Sequence, residues 1–303
     1  MAKILITGGT GLVGVKLTEM LIAKNHEVVI LSRNPKKDHE FKWDVSKNYI
    51  DENALKNTDY IIHLAGAGIA DERWSAKRKK VIIASRVATA NLIFNTVKAL
   101  KINLKGFISA SGSGYYGAIT SDKIFTETDV VGNDFLGDVC QKWEHAAHQF
   151  DTLNIPVTIL RTGIVLSKTG GALEKMKTPI IAPLGSGKQY LPWIHMEDLC
   201  AMYIKAIEED LIGVFNAVAP EHHTSTSFSK ILAKSIGRPY IGIPVPSFML
   251  KLLFGELAII LLEGSKISAK KIEKNGYSFR FKTLKKALNN FIFYIVCKFF
   301  LNN

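Results

Sequence analysis

The sequence predicts an α/β fold: a mostly parallel, doubly wound sheet with a small, mainly helical C-terminal domain. Three observations carry that expectation. Apolar runs of strand length alternate with helical periodicity over the first half of the chain. A glycine-dense turn, Gly8-Gly9-Thr10-Gly11-Leu12-Val13-Gly14, separates the first strand from the first helix. Past Gly237-Arg238-Pro239 and Pro244-Val245-Pro246 the chain becomes helical and basic, which places a boundary there. The expected units are 1–237, the sheet domain with its pocket insertions, and 238–303, a basic appendage.

Ile4 to Ile6 reads as a buried strand, and Leu12, Val13, Leu17, Leu21 and Ile22 recur at helical spacing behind the turn. The glycines fit Gly9-x-Gly11-x-x-Gly14 or Gly8-x-x-Gly11-x-x-Gly14. One glycine makes the tight turn, one lets backbone N–H groups approach a pyrophosphate, and one lets helix pack on strand. The helix aims the positive end of its dipole at that anion. A glycine turn also occurs for connection alone. Here strand, turn and helix together point to a dinucleotide site over Gly8, Thr10, Gly11, Leu12, Val13 and Gly14.

Glu27 to Leu31 is the second predicted strand and runs into Ser32-Arg33. About 20 residues past the glycines, a site that selects NAD carries an acid for the ribose 2′-OH. Arg33 stands there instead, beside Ser32, and its planar fork suits a 2′-phosphate, so NADP is the expected cofactor. Phe41 to Asp44 is a short third strand. Tyr60 to Leu64 is a fourth, followed by Ala65-Gly66-Ala67-Gly68, small residues that either admit a flat ligand or only make a turn.

Ala76 to Lys101 reads as one long helix, and Phe107 to Ala110 as a fifth strand leading to Ser111-Gly112-Ser113-Gly114-Tyr115-Tyr116-Gly117. Hydroxyls at the carboxyl end of a strand in such a sheet stand where ligands bind. Ser111 and Tyr116 are therefore candidates to hydrogen-bond a substrate carbonyl or hydroxyl; packing on a turn is the alternative for Tyr115 and Tyr116. A helix near Phe135 to Phe150 and a strand Val157 to Leu160 complete the alternation.

Composition narrows the function classes. At 303 residues and 47% hydrophobic content, the chain can bury a large core. Cys140, Cys200 and Cys297 lie far apart without metal-type spacing, so a reducing cytoplasm and no metal site are expected. Met1-Ala2-Lys3 runs straight into the first strand, so no leader is expected. The run Lys77-Arg78-Lys79-Lys80 opens a helix with no nucleic-acid module beside it, so no nucleic-acid partner is expected. The formal net charge of +12 is uneven: Gly264 to Asn303 holds nine Lys or Arg and one acid, Glu273. That tail is either a solvated basic face or a contact for an acidic partner or anionic surface.

A longer series of motifs runs through the chain. It comprises Thr7-Gly8-Gly9-Thr10-Gly11-x-x-Gly14, Arg73-Trp74, Ser85-Arg86-Val87, Tyr115-Tyr116-Gly117 and Trp143-Glu144, then Leu160-Arg161-Thr162-Gly163-Ile164 and Pro192-Trp193-Ile194-His195-x-x-Asp198. Leu261-Leu262-Glu263-Gly264 follows near the end. Over nearly its whole length the sequence resembles the extended and atypical short-chain dehydrogenase/reductases, within them the NAD(P)-dependent nucleoside-sugar epimerases with a C-terminal domain of unknown function. The resemblance implies a Rossmann-type fold and an NADP-dependent, epimerase-like oxidoreductase. Its substrate would be a sugar, a nucleotide sugar or another small hydroxy or carbonyl compound. It places cofactor contacts on the glycine loop, Ser32, Arg33, Leu64, Ala65, Gly66, Arg86 and Ile164. It puts Arg73, Trp193 and His195 on the substrate side, although His195 reads equally as a hydrogen-bonder at a helix start.

One departure matters. Typical extended reductases use a Tyr-x-x-x-Lys pair, in which Lys⁺ favours the phenolate, and the resembled subgroup departs from it as this chain does. Here the corresponding helix reads Cys140-Gln141-Lys142-Trp143-Glu144, and a glutamate opposes phenolate formation. Cys140 reads as a small buried residue rather than a nucleophile. Two readings remain: an enzyme working through Ser111 and Tyr116, or a non-catalytic NADP-binding regulatory or interaction protein. The resembled family ends near Leu288, so Phe291 to Leu301 is an apolar extension. As a helix it would be ~16 Å long, too short to span a bilayer. It either packs into the C-terminal domain, makes a homodimer interface, or touches a membrane surface.

Overall fold

A computed structural model describes residues 1–291. Its strands are β1 (Lys3–Thr7), β2 (Glu27–Ser32), β3 (Glu40–Asp44), β4 (Tyr49–Ile50), β5 (Tyr60–His63) and β6 (Gly106–Gly112). They continue with β7 (Ile124–Phe125), β8 (Val157–Thr162), β9 (Ile164–Leu166), β10 (Trp193–His195), β11 (Gly213–Ala217) and β12 (Lys266–Ile267). The helices are α1 (Leu12–Ala23), α2 (Ala76–Ala99), α3 (Phe135–His148), α4 (Ala172–Met176) and α5 (Met196–Glu208). After them come α6 (Ser225–Ile236), α7 (Ser247–Phe254), α8 (Ile259–Leu262) and α9 (Lys270–Lys274).

The central sheet has eight strands in the order β11-β8-β6-β5-β1-β2-β3-β4. Its pairings are parallel except for the short β3–β4 edge. From β1 the chain builds outward through β2 and β3, then returns with β5 on the other side of β1. That reversal opens a crevice beyond the carboxyl ends of β1 and β5, where a Rossmann-like sheet holds its ligand. Register aligns those ends, since Thr7 stands beside both Leu31 and His63.

Both faces of the sheet are covered, and β1 alternates between them. Ile4 and Ile6 pack with Leu17 and Leu21 of α1 and with Met202 and Tyr203 of α5. Leu5 packs with Leu92, Ile93 and Val97 of α2 and with Phe150. Full burial of each such side chain contributes roughly 1.5–3 kcal/mol. Helices therefore lie on both sides of nearly continuous apolar strands, as a doubly wound sheet requires.

The C-terminal region is helical, and it is stitched to the earlier chain. β12 pairs with β7, and bridges join Ile181 to Tyr240 and Leu184 to Val245. Trp193, Phe228 and Leu232 share one cluster with Phe281, Leu284, Leu288 and Phe291. Residues 284–291 are helical, and Phe291 is buried against His195. The rest of the apolar extension, 292–301, lies outside the described residues. Among the described residues no helix is long and apolar enough to cross a membrane.

Candidate cofactor and substrate site

The turn after β1 fits a dinucleotide at the level of individual atoms. Gly8 has φ +70°, and a Cβ there would sit 3.0 Å from the backbone of Leu64 and Ala65. A Cβ on Gly14 would sit 2.3 Å from the Gly8 carbonyl oxygen, so α1 packs on the turn only through glycine. The Gly11 N–H donates to the Gly8 carbonyl at 3.0 Å, and α1 begins with no side-chain cap. The first-turn N–H groups of Leu12, Val13 and Gly14 have no preceding helical carbonyl to reach, and such groups at a helix start suit an anion.

Ser32 ends β2, the strand paired with β1, and Arg33 follows it, exposed. Ser32 Oγ accepts from the Asn34 N–H at 3.2 Å, and Lys42 Nζ donates to the Arg33 carbonyl. These bonds hold the loop backbone and leave the Arg33 guanidinium on the surface.

On the β5 side, the Leu64 N–H donates to the Thr7 carbonyl at 3.1 Å and the Ala65 N–H to Thr7 Oγ1 at 3.3 Å. His63 is fully buried, with Nδ1 at 2.8 Å from Thr7 Oγ1 and Nε2 at 3.3 Å from the Arg86 carbonyl. A carbonyl only accepts, so Nε2 carries the proton and the Thr7 hydroxyl donates to Nδ1. Burial pushes the His63 pKa down to about 4, which keeps this brace neutral.

Arg86 is buried, donates to the carbonyls of Ala67 at 3.0 Å and Ile82 at 2.8 Å, and lies over the Trp143 ring at 4.8 Å. Its Nε has no partner among the described residues, and burial lowers its pKa. A Cβ on Gly66 would come within 3.1 Å of its guanidinium carbon. A buried cation with an orphaned donor beside a glycine that keeps the approach open fits an anionic cofactor. Ile164 begins β9, its N–H held by the Pro192 carbonyl at 2.6 Å.

The β6–β8 register sets Ser111 beside Arg161, and a polar network grows from that pair. Arg161 binds Glu144 through both carboxylate oxygens, each at 2.9 Å, with side chains 4% and 8% exposed. Ser111 Oγ donates to the same Glu144 at 2.7 Å. Arg161 also donates to the Tyr116 hydroxyl at 3.1 Å, which in turn donates to Asn216 Oδ1 at 2.6 Å. Asn216 Nδ2 donates to the Ser268 carbonyl at 3.2 Å. The guanidinium stacks on the Tyr115 ring at 3.2 Å. Glu144 is thus the counter-ion of Arg161. Ser111 and Tyr116 are brought together through that ion pair, and both hydroxyls are buried. Burial pushes the Tyr116 phenol up to about 12 and the Cys140 thiol up to about 11. Sequence reading did not single out Arg161 or Asn216 as site residues. Each is one polar residue inside an apolar strand, and only the strand order makes them neighbours.

Three substrate-side expectations change. Trp193 is fully buried, with Nε1 donating to the Glu221 carbonyl at 3.2 Å. His195 is buried too; its Nδ1 accepts from the Glu197 N–H at 3.1 Å, so it caps α5. Its ring lies between Phe281 at 3.7 Å and Phe291 at 4.6 Å. The helix-start role holds, and both side chains are buried under the C-terminal segment. Arg73 turns its guanidinium onto the carbonyls of Leu252 and Leu253, closing the end of α7. The open space lies nearby: a cleft of about 690 Å³ between residues 118–136 and helices α7 and α8, with Trp74 in its wall.

Comparison with known proteins agrees with this arrangement. Residues 4–137 match the NAD dependent epimerase/dehydratase family, and residues 245–291 match a domain of unknown function, DUF1731. The mouse epimerase family protein SDR39U1 is 33% identical over 299 residues, 96% of this chain and 99% of its own length. The chain belongs to this epimerase family. A Staphylococcus aureus (strain MRSA252) member, epimerase family protein SAR0825, is 34% identical over 305 residues, 96% of this chain and 99% of its own length. Human SDR39U1 (isoform2), solved with NADPH, superposes with TM-score 0.85 at 31% identity, covering 95% of this chain and 98% of that one. The nucleoside-diphosphate sugar epimerase from Corynebacterium glutamicum gives 0.77 at 29% identity, covering 95% of this chain and 58% of that one. NAD(P) binding and an epimerase-like function follow from membership and geometry together.

Proposed function

We propose that this chain is an NADP-dependent, epimerase-like oxidoreductase acting on a small hydroxy or carbonyl compound. Arg33, exposed at the end of β2 where an acid would hold a ribose 2′-OH, is the observation that carries the NADP assignment. That a relative of similar sequence was solved with NADPH supports it. The N–H groups of Leu12, Val13 and Gly14 hold the pyrophosphate, Ser32 and Arg33 the 2′-phosphate, and Arg86 a further anionic group of the same ligand. When bound, NADP supplies hydride transfer to or from a carbon bearing oxygen. Ser111 and Tyr116 act as positioning residues: through Glu144 and Arg161 they fix the end of β6 and the Tyr115-Tyr116-Gly117 turn.

A second reading, a non-catalytic NADP-binding regulator, is favoured by one observation. The Tyr and Lys of the relay in typical extended reductases are replaced by a buried thiol and by a carboxylate already paired with Arg161. One experiment separates them: NADPH with ketones and NADP⁺ with alcohols, sugars and nucleotide sugars, followed by nicotinamide absorbance and by NMR analysis of the product epimers. Turnover of any member supports the enzyme. Tight NADPH binding with neither an absorbance change nor an epimerised product across the panel refutes it in favour of the regulator.

A further inference from the structure

We infer that the cleft walled by α7 and α8 takes a neutral, largely apolar carbonyl or hydroxy compound, and not a sugar carried on a nucleoside diphosphate. The reaction implied rests on the oxidoreductase reading above; the binding claim rests on the cleft itself. Trp74 follows the loop after β5, Ile119 follows the turn after β6, and Phe135 opens α3, so the cleft lies on the carboxyl side of the sheet. At about 690 Å³ it has the size of a small-molecule site.

Its walls are apolar and aromatic. Trp74 and Phe135 meet edge to face with centroids 4.8 Å apart, and Ile119, Leu136, Ile259 and Leu262 continue the surface. Trp74 Nε1 donates to the Ile69 carbonyl at 2.8 Å, so its one polar atom is used and the ring is left for packing. On α7, which gives Lys251 to the lining, Phe248, Met249 and Leu252 are 70%, 51% and 80% exposed.

Charge decides between the two substrate classes. Among the described lining residues the single cation is Lys251, against Asp134 and Glu256. The other cations at this edge are committed. Lys79 pairs with Glu256, Arg73 holds the carbonyls of Leu252 and Leu253, and Arg78 binds the Gly68 carbonyl at 2.7 Å and Glu72 at 3.2 Å. A diphosphate would bring its charge against an apolar wall that offers one unpaired lysine, since Glu256 is paired with Lys79 and Asp134 accepts from the Ala118 and Gly137 N–H groups. A ketone or secondary alcohol needs one or two hydrogen bonds, and Asn133 and Lys251 supply N–H donors for its oxygen.

The test is calorimetry on the full chain, with and without NADP⁺, using 4-phenyl-2-butanone and UDP-glucose as probes. The ketone should bind at least about 10-fold more tightly than UDP-glucose. Ile119→Glu, at a position 44% exposed and so tolerant in folding, should weaken the ketone about 5- to 10-fold and leave NADPH affinity unchanged. Tighter binding of UDP-glucose overturns the inference, as does absence of ketone binding in both cofactor states. So does a ketone affinity indifferent to Ile119→Glu in a variant with the parent melting temperature. Ketone binding without any NADPH oxidation supports the cleft assignment and counts against the oxidoreductase reading alone.

Discussion

Neutralising Glu144 tests the central ion pair most directly. Glu144→Gln keeps the shape and an amide oxygen for Ser111 and Arg161, but removes the charge. The pair is bidentate at 2.9 Å, and its side chains are 4% and 8% exposed. On a surface such a pair would be worth about 0–1 kcal/mol. Buried, its loss leaves the Arg161 guanidinium uncompensated, which costs about 3–5 kcal/mol. At roughly 2 °C per kcal/mol for a long chain, melting should fall by about 6–10 °C. Adding Arg161→Met removes the stranded charge, so the double variant should recover part of the loss, and a double-mutant cycle should report strong coupling. Urea unfolding followed by circular dichroism, with scanning calorimetry, measures both. A single variant melting within about 2 °C of the parent would refute the reasoning, because Arg161 would then be satisfied without its carboxylate.

Other expectations are independent of that pair. NADPH should bind about 1–3 kcal/mol more tightly than NADH, and Arg33→Asp should abolish or reverse the preference; equal calorimetric affinities in the parent would end the NADP assignment. Tyr116→Phe strands Asn216 Oδ1 and one Arg161 donor, so it should cost about 1–3 kcal/mol of stability with turnover changed only a few-fold. A drop of about 10²-fold at parental stability would instead make Tyr116 the acid/base. Burial holds His63 and His195 at about 4, against about 6.5 in the unfolded chain. Between those values the unfolded chain binds more protons, so this stability is complete above about pH 6.5 and is lost as pH falls toward 4. Urea midpoints should drop between about pH 7 and about pH 5, with a shallower slope in His63→Asn; a flat profile would contradict it.

Period and glycine spacing were enough to read β1, β2, β5, β6 and β8, because each is a short apolar run beside a helix of matching face; β3 was read as well, and the two-residue edge strand β4 was not. The edge strand β11, Gly-Val-Phe-Asn-Ala, was not legible: only part of it is buried, and its partner β8 lies some fifty residues earlier. The glycine turn was legible for the same reason as β1, since its geometry is local. The substrate side was not. Trp193 and His195 read as pocket residues until Phe281 and Phe291 come back from the end of the chain to cover them. Arg73 likewise finds its partners about 180 residues away.

The replaced relay shows why a motif cannot be repaired one letter at a time. Position 144 faces Arg161, so the lysine of the usual pair would put two cations together in a buried site. Glu144 and Arg161 are therefore one choice: a lysine at 144 is compatible only with a different residue at 161. Position 140 is constrained as well. Cys140 Sγ lies 3.6 Å from the Gly112 carbonyl oxygen, and Cβ atoms on Gly112 and Gly114 would come within 3.5 and 3.8 Å of it. A phenol in place of that thiol would push into the Gly112-Ser113-Gly114 turn that positions Tyr115 and Tyr116. The chain has exchanged a reactive phenol–ammonium pair for a packed thiol and a satisfied carboxylate–guanidinium pair. What is a proton relay in typical extended reductases is here the support on which the end of β6 rests.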